Sequence, residues 1–282
     1  MFMKKYIKLL RTKHYIKNLL IFVPLFFAQS LFYQEKFYQA CMGSLAFCFI
    51  SSAVYILNDL KDIEKDRIHP VKKERPIASG KIKTGTTVRI LFICIFLSVF
   101  MNLLTGNFLR GSIYIIGYFI LNLSYSFGMK NKPLADIVIL TSGFVIRIYY
   151  GAMITNTDIS VWLYFVIMVG ACYMGLGKRR NEMRYSLDTR HVLKYYSYDF
   201  LDKNMYVCVA LLITFYSFWT IEFEMTGMRW TTPYVMVILM KYSLVVEGNS
   251  DGDPVEVLVQ DKLLILLITG YILWIFCILY LL

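Results

Sequence analysis

The feature that most constrains this chain is a series of apolar stretches, each close to the length that a helix needs to cross a membrane. About 20 apolar residues cross roughly 30 Å of hydrocarbon. Apolar residues make up 58% of the 282 residues and charged residues only 17%, against roughly 25% charged in ordinary soluble domains. The sequence therefore predicts an all-α, polytopic membrane protein with nine transmembrane helices. The predicted spans are residues 18–33, 38–57, 87–104, 111–128, 134–154, 160–177, 204–221, 231–246 and 263–282.

The positions of the basic residues predict the orientation of these spans. Lys and Arg concentrate in loops that face the cytoplasm. They gather here in the N-terminal tail and in residues 59–86 and 178–203, whereas the opposite loops hold only Lys36, Arg110 and Arg229. We therefore expect a multi-pass protein of the plasma membrane with a cytoplasmic N-terminus, two long cytoplasmic loops and an external C-terminus.

The organisation of the chain favours one membrane-embedded domain over residues 1–282, because no Gly-, Pro- or Ser-rich linker interrupts it. Residues 1–17 mix apolar and basic side chains in a helix-compatible pattern, which predicts an interfacial helix before the first span. The two charged loops follow the second and sixth spans. That spacing suggests two related halves.

A cluster of acidic residues follows the second predicted span. If its helix continues until Pro70 disfavours helix at the preceding residue, Asp59, Asp62 and Asp66 lie within about 60° of one helix face. Like charges on one face repel, so a cation between them is expected. With Asn58 they offer hard oxygen ligands, which suit Mg²⁺ completed by water and substrate phosphates. The alternative is a solvated loop whose aspartates pair with neighbouring basic residues.

A basic string follows the aspartates directly, and its members are Arg67, His69, Lys72, Lys73 and Arg75. Carboxylates that hold a cation, followed by cations that neutralise phosphate oxygens, are what a metal–diphosphate complex requires. Positive-inside topology would also explain the basic charge. It does not explain the combination of that charge with three acidic residues at helical spacing.

Arg147 lies well inside the fifth predicted span. An arginine at membrane depth faces a protein interior or a wet cavity and is a functional candidate by default, although Asp136 is an alternative structural partner. Lys17 and Asn18, at the entrance of the first span, are candidates for the same cavity. So is Tyr125 with its polar neighbours near the end of the fourth span, for which hydrogen bonding between helices is an equal alternative.

Several site classes are disfavoured by the sequence. The cysteines all lie in apolar spans without CxxC spacing, and only three histidines occur, so disulfides, zinc sites and histidine-rich metal sites are not expected. The net charge of +11 is spread over loops of a polytopic protein. Membrane orientation and anionic lipid explain it, and no nucleic-acid partner is expected.

The pattern NDxxDxxxD followed by HPxKxxRPIASG, behind the second span, closely resembles the UbiA superfamily of intramembrane prenyltransferases. The resemblance covers essentially the whole chain. It implies nine transmembrane helices around a central cavity, with Mg²⁺ at the first motif. It also implies catalytic roles for Asp59, Asp62 and Asp66.

Within the superfamily, the elements KNLLIFVPLFF, GFVIR, GKRRNE and GDPVEVLVQDK most resemble the decaprenyl-phosphate phosphoribosyltransferase branch, which supplies cell-wall arabinose donors. Prenyltransferases of the superfamily have a second DxxxD motif after the sixth span. Here that region begins with Lys178 and Arg179, followed by Glu182. One acidic and one basic cluster suit a diphosphate donor and a lipid monophosphate acceptor.

The resemblance implies Mg²⁺-dependent transfer of 5-phosphoribose from phosphoribosyl diphosphate to a polyprenyl phosphate, with release of diphosphate. A homo-oligomer is compatible with this reading. The alternatives are a prenyltransferase that moves a prenyl group from prenyl diphosphate to an aromatic or other small acceptor, and a transporter or lipid-binding protein whose acidic segment senses Mg²⁺. The substrate-binding candidates are Lys17, Asn18, Arg67, His69, Lys72, Arg75, Tyr125, Arg147, Lys178, Arg179 and Glu182.

Overall fold

Helices and the turns between them form the part of the chain that this computed structural model describes, namely residues 2–68, 72–185, 191–223, 225–248, 257 and 261–282. In a membrane a helix satisfies its own backbone hydrogen bonds, which is why long apolar stretches adopt it. The all-α prediction is confirmed for these residues.

The described chain contains long helices joined by short helices and 3₁₀ segments. The helices are α1 (Phe2–Leu10), α2 (Val23–Phe27), α3 (Gln34–Lys61), α4 (Ile63–Ile68), α5 (Thr84–Leu103), α6 (Phe108–Ser126), α7 (Ala135–Ile154), α8 (Val161–Tyr185), α9 (Tyr198–Glu222), α10 (Thr226–Arg229), α11 (Thr231–Glu247) and α12 (Lys262–Tyr280). The 3₁₀ segments are Thr12–Phe22, Lys72–Glu74, Met129–Asn131 and His191–Tyr195.

Six of the described helices, α3, α5, α7, α8, α9 and α12, are long and apolar enough to cross a membrane. Two further helices coincide with predicted spans. Helix α6 carries the polar residues Arg110 and Asn122, which lower its average hydropathy, and α11 has 17 residues, fewer than the roughly 20 of a typical span. The structure thus identifies six of the nine predicted spans by length and composition.

The first predicted span is not a single long helix. A 3₁₀ segment precedes the five-residue helix α2, which begins at Val23 with Pro24 in its first turn and is followed by Gln29 with φ 54°. Proline lacks the backbone N–H that a helix interior uses, and a positive φ is uncommon outside glycine. Both features interrupt the helix that the apolar composition predicts.

The chain divides into two compact units. Unit 1 comprises Met1–Phe127 and Ile146–Asp158. Its core packs α3 against α5, and the Phe47 ring contacts the rings of Tyr118 and Tyr150 at centroid distances of 5.3 and 4.7 Å. The charged segment that follows α3 belongs to this unit.

Unit 2 comprises Gly128–Val145 and Ile159–Leu282. Helices α8 and α9 pack along each other, and the Tyr173 and Tyr242 rings lie 5.5 Å apart in its core. The basic residues 178–184 lie on the last turns of α8. The predicted loop 178–203 is therefore helical at its beginning, and α9 starts at Tyr198 after a cap in which Ser197 accepts from the Phe200 N–H at 3.1 Å.

Candidate active site

The acidic segment of unit 1 contains a break that the sequence did not predict. Helix α3 ends at Lys61, Asp62 caps it with φ −97° and ψ 15°, and α4 begins at the next residue. The expectation of one continuous helix through Asp66 was wrong, so the three aspartates do not share one uninterrupted helix face. His69, a predicted substrate ligand, lies outside the described residues.

Asp59 and Asp66 are brought together by one arginine. Arg75 Nη1 donates to Asp59 Oδ1 at 3.0 Å and to Asp66 Oδ2 at 2.7 Å. The two aspartates are only 3% and 4% exposed. The interpretation of this segment as a solvated charged loop is therefore wrong for both, because burying a carboxylate requires a partner charge. Arg75 supplies that charge.

Arg11 is a second guanidinium on the same carboxylate. Its Nη2 atom lies 2.5 Å from Asp59 Oδ1, and its guanidinium lies over the Tyr55 ring, 4.7 Å from the centroid. Arg11 joins α1 to the following 3₁₀ segment with left-handed backbone angles, φ 53° and ψ 46°. Sequence reasoning counted it only as part of the basic tail, because neither this backbone conformation nor the contact over 48 residues is readable from a local pattern.

The carboxylate oxygens of Asp59 and Asp66 are the kind of ligand atom that Mg²⁺ prefers. Both carboxylates have an oxygen within 3.0 Å of a single nitrogen of Arg75, so the two carboxylates lie close enough together to share one cation. Among the described residues, no group of three or more His, Cys, Asp or Glu side chains is gathered closely enough to hold a metal. In phosphate-transfer sites, Mg²⁺ is usually bound by one or two carboxylates and completed by water and phosphate oxygens. Asp59 and Asp66 fit this arrangement.

The end of α6 lies beside the end of α3. Ser126 Oγ donates to Asn58 Oδ1 at 3.2 Å, and Lys61 Nζ donates to the Ser126 carbonyl at 2.7 Å. Two neighbouring polar side chains bond to their own helix: Asn122 donates to the Tyr118 carbonyl and Ser124 to the Leu121 carbonyl. Bonding between helices is thus the role of Ser126.

Arg147 occupies a polar pocket inside unit 1. It is 4% exposed. Its Nε donates to Asn18 Oδ1 at 2.7 Å, and its Nη2 donates to Ser51 Oγ at 3.2 Å and to the Tyr118 hydroxyl at 3.1 Å. The guanidinium also lies 5.5 Å from the centroid of the Phe47 ring. Arg147 and Asn18, which the sequence proposed for one cavity, are thus in direct contact, and side-chain oxygens accept from this cation.

Unit 2 has its own buried acid–base network. Arg179 Nε lies 2.5 Å from Asp136 Oδ2, and Arg179 Nη1 donates to Glu182 at 2.6 Å. The Tyr196 hydroxyl donates to Asp136 Oδ1 at 2.6 Å and accepts from the Leu134 N–H at 2.8 Å. Burial, together with the hydrogen bond to Asp136, raises the pKa of Tyr196. Asp136, considered as a partner of Arg147, is bonded to Arg179 and Tyr196.

The remaining predicted ligands differ in exposure. Arg67 is exposed and donates to Glu64 one turn earlier at 2.9 Å. Four of the predicted ligands have half-buried side chains, namely Lys17, Lys72, Tyr125 and Lys178. Tyr196 is the residue of unit 2 that sequence reasoning missed, since its contact with Asp136 spans 60 residues.

Comparison with known proteins gives relatives over nearly the whole chain. Decaprenyl-phosphate phosphoribosyltransferase of Corynebacterium glutamicum is 31% identical over 285 residues, covering 96% of this chain and 85% of the relative. The protein of the same name from Mycobacterium tuberculosis is 27% identical over 281 residues, covering 94% of this chain and 91% of the relative. The relatives are transferases by name, as the sequence predicted.

The fold is shared with the solved structure of a UbiA homolog from Archaeoglobus fulgidus bound to DMAPP and Mg²⁺. The TM-score is 0.74 at 19% identity, with 99% of this chain and 100% of that chain covered. The six long apolar helices, together with the family match that follows, confirm a multi-pass membrane protein. The model of the UbiA prenyltransferase family matches residues 19–249, and the chain therefore belongs to the UbiA prenyltransferase family.

Proposed function

We propose that this protein transfers 5-phosphoribose from phosphoribosyl diphosphate to a polyprenyl phosphate of the decaprenyl type, with Mg²⁺ and with release of diphosphate. The observation that carries the proposal is that Asp59 and Asp66 lie close enough together in a buried site to share one cation. Relatives named for this reaction, matched over 94–96% of the chain, support the choice of substrates.

The metal-binding residues in this proposal are Asn58, Asp59, Asp62 and Asp66. When bound, Mg²⁺ would neutralise the charge that develops on the leaving diphosphate. The aspartates themselves orient the donor by fixing where its diphosphate lies. Their burial matters because a charge acts more strongly where water is excluded.

The reaction needs no general base. The lipid phosphate is already anionic at neutral pH, and one of its oxygens attacks the anomeric carbon of the ribose. The bond from that carbon to the diphosphate oxygen breaks, and its electron pair leaves with diphosphate. By analogy with glycosyl transfer, the transition state has oxocarbenium character and the configuration inverts. The chain therefore supplies orientation and charge, with Asp59, Asp62 and Asp66 as the catalytic carboxylates.

Basic and polar side chains divide between the donor and the acceptor in this proposal. We assign the donor diphosphate to Arg67, His69, Lys72 and Arg75, with Arg147 assisting from its pocket with Asn18. We assign the acceptor phosphate or the donor 5-phosphate to Lys17, Lys178 and Arg179, and keep Tyr125 and Glu182 as further substrate-binding residues. Because Arg179 is fully buried against Asp136 and Glu182, we assign it an indirect part, holding the end of α8 that carries Lys178.

The membrane arrangement belongs to the same proposal. Residues 1–282 form one membrane-embedded domain with nine spans around a central cavity, as the family implies. The N-terminus and the segments 59–86 and 178–203 lie on the cytoplasmic side, and the C-terminus lies outside. This orientation gives the site access to a soluble sugar diphosphate.

The test is a transfer assay with purified protein in lipid nanodiscs, Mg²⁺, polyprenyl phosphate and phosphoribosyl diphosphate labelled in the ribose. The expected product is a lipid carrying labelled phosphoribose, formed together with diphosphate and abolished by EDTA. Consumption of a prenyl diphosphate with a small aromatic acceptor, and none of the sugar donor, would instead establish the prenyltransferase alternative. Donor binding without diphosphate release would favour a transporter or a binding protein.

A further inference from the structure

The two aspartates and two arginines of the acidic cluster in unit 1 are electrically balanced. Asp59 and Asp66 carry two negative charges, and Arg11 and Arg75 carry two positive charges, each in direct contact with a carboxylate. A divalent cation added alone would leave these four side chains with two excess positive charges, and with one when the carboxylate of Asp62 is counted. An anionic phosphate group arriving with the cation would restore the balance.

At Asp59 Oδ1, a metal would compete directly with the arginine donors. It accepts from Arg11 Nη2 at 2.5 Å and from Arg75 Nη1 at 3.0 Å. A carboxylate oxygen has two lone-pair sites, and both are taken. A metal can therefore bind this oxygen only when one of the guanidinium groups moves away.

Arg11 is the guanidinium that is better placed to leave. Arg75 bridges both aspartates, whereas the ion pair of Arg11 in the described chain is with Asp59 alone. Arg11 also sits at the junction of α1 with the 3₁₀ segment Thr12–Phe22, and its side chain is 20% exposed. Its left-handed backbone is a conformation that costs energy outside glycine and asparagine and is concentrated at functional sites.

We propose that Arg11 is a positioning residue that masks Asp59 in the resting protein and moves to a diphosphate oxygen when the metal and the donor bind. The metal and the diphosphate then bind together, and each binds poorly alone. Arginine suits both states because its planar fork matches carboxylate and phosphate oxygens equally. The inference rests on the proposed magnesium site but not on the identity of the sugar.

The experiment measures binding of Mn²⁺, as a spectroscopic substitute for Mg²⁺, to protein in neutral-lipid nanodiscs by electron paramagnetic resonance. Titrations are made with and without inorganic diphosphate, and protein-free samples correct for the complex of Mn²⁺ with diphosphate. Wild-type protein is expected to bind Mn²⁺ at least about tenfold more tightly with diphosphate, since linkage requires each ligand to favour the other. Arg11→Gln is expected to bind Mn²⁺ alone about tenfold more tightly than wild type, because one nearby positive charge is gone.

Two variants control this result. Arg11→Lys keeps the charge and should keep weak binding of Mn²⁺ alone, and Lys8→Gln removes an exposed charge from neighbouring helix α1 and should behave like wild type. Equal Mn²⁺ affinity of wild type with and without diphosphate would overturn the inference, whether or not any variant folds. So would wild-type behaviour of folded Arg11→Gln. A failed phosphoribosyl assay with intact linkage would instead refute the proposed sugar donor alone.

Discussion

The two units each contain a buried cluster of carboxylates and arginines, and the clusters differ in how far their arginines reach solvent. In unit 1 the side chains of Arg11 and Arg75 are 20% and 25% exposed while they hold Asp59. In unit 2 the side chains of Arg179 and Asp136 are both 0% exposed. A guanidinium at the edge of water can exchange its carboxylate for another anion, whereas a sealed pair cannot do so without unfolding.

The difference in solvent exposure implies different roles for the two clusters, although both pair carboxylates with arginines. A buried ion pair is costly to desolvate and strongly destabilising when one partner is removed. The unit 2 network, with Tyr196 as a further donor, therefore fixes the start of α7 against the end of α8. The unit 1 cluster makes the same kind of interaction with partly exposed arginines, which suits a site that receives charged ligands. The following predictions test this contrast.

The largest expected effect is on the stability of unit 2. Asp136→Ala should lower the free energy of unfolding by about 3–5 kcal/mol, because it removes a carboxylate from a guanidinium without solvent exposure. Denaturant unfolding in detergent micelles measures the change. Asp199→Ala is the matched control, since Asp199 is 86% exposed in its pair with Lys203, and it should stay within about 0.5 kcal/mol of wild type. Equal effects of the two substitutions would contradict a structural role for the network.

In unit 1 the corresponding change should affect activity more than stability. Asp59→Asn keeps the shape of the side chain but removes the charge that would hold the metal and its diphosphate. We expect the transfer rate to fall by about 100-fold or more, the range found when one preorganised electrostatic contact is lost. Product formation is followed by mass spectrometry and folding by thermal unfolding. A variant that keeps wild-type activity would show that the cluster is as purely structural as the one in unit 2.

A smaller effect is expected at the edge of the unit 2 network. Tyr196→Phe should cost about 1–3 kcal/mol, because Asp136 loses one buried donor. Burial and the bond to Asp136 raise the pKa of Tyr196 above its ordinary value, so the stability it contributes is present below about pH 10 and is lost as the pH rises further. Unfolding measured between pH 8 and 11 should therefore show a steeper loss in wild type than in Tyr196→Phe. Parallel pH profiles of the unfolding free energy in the two proteins would exclude Tyr196 as the source of the loss of stability.

The smallest effect is expected at Arg67. Its bond to Glu64 lies at the surface, with side-chain exposures of 54% and 81%, and exposed pairs contribute about 0–1 kcal/mol. Arg67→Gln should leave the unfolding free energy within about 0.5 kcal/mol of wild type. If Arg67 meets the donor, the variant should raise KM for phosphoribosyl diphosphate while kcat stays unchanged. A change of kcat at constant KM would rule out this peripheral role.

The sequence predicted well those features of the fold that depend on amino-acid composition. The all-α fold and its six clearest spans follow from uniform apolar stretches, and the family follows from one motif of unusual spacing. The break at Asp62 was missed, because the helix period of the aspartates pointed to one straight helix. The interruption around Pro24 and Gln29 was missed for a related reason, since apolar composition alone does not specify backbone conformation.

The sequence predicted that the acidic residues and the basic string belong to one site, but it assigned Arg75 to phosphate oxygens. The bond of Arg75 to Asp66, nine residues earlier, was not predicted. The contacts of Arg11 with Asp59 and of Tyr196 with Asp136 span 48 and 60 residues. Such contacts depend on how helices pack, and no local spacing encodes them. The same limit hid the pairing of Arg179 with Asp136.

We infer that the exchangeable cluster of unit 1 serves a sugar diphosphate. The most direct measurement offers the purified protein phosphoribosyl diphosphate and a prenyl diphosphate together, with Mg²⁺, polyprenyl phosphate and a small aromatic acceptor, and identifies products by mass spectrometry. The account predicts a polyprenyl phosphate heavier by one phosphoribosyl group in wild type and none in Asp59→Asn. A prenylated aromatic product without any lipid-linked phosphoribose would contradict it.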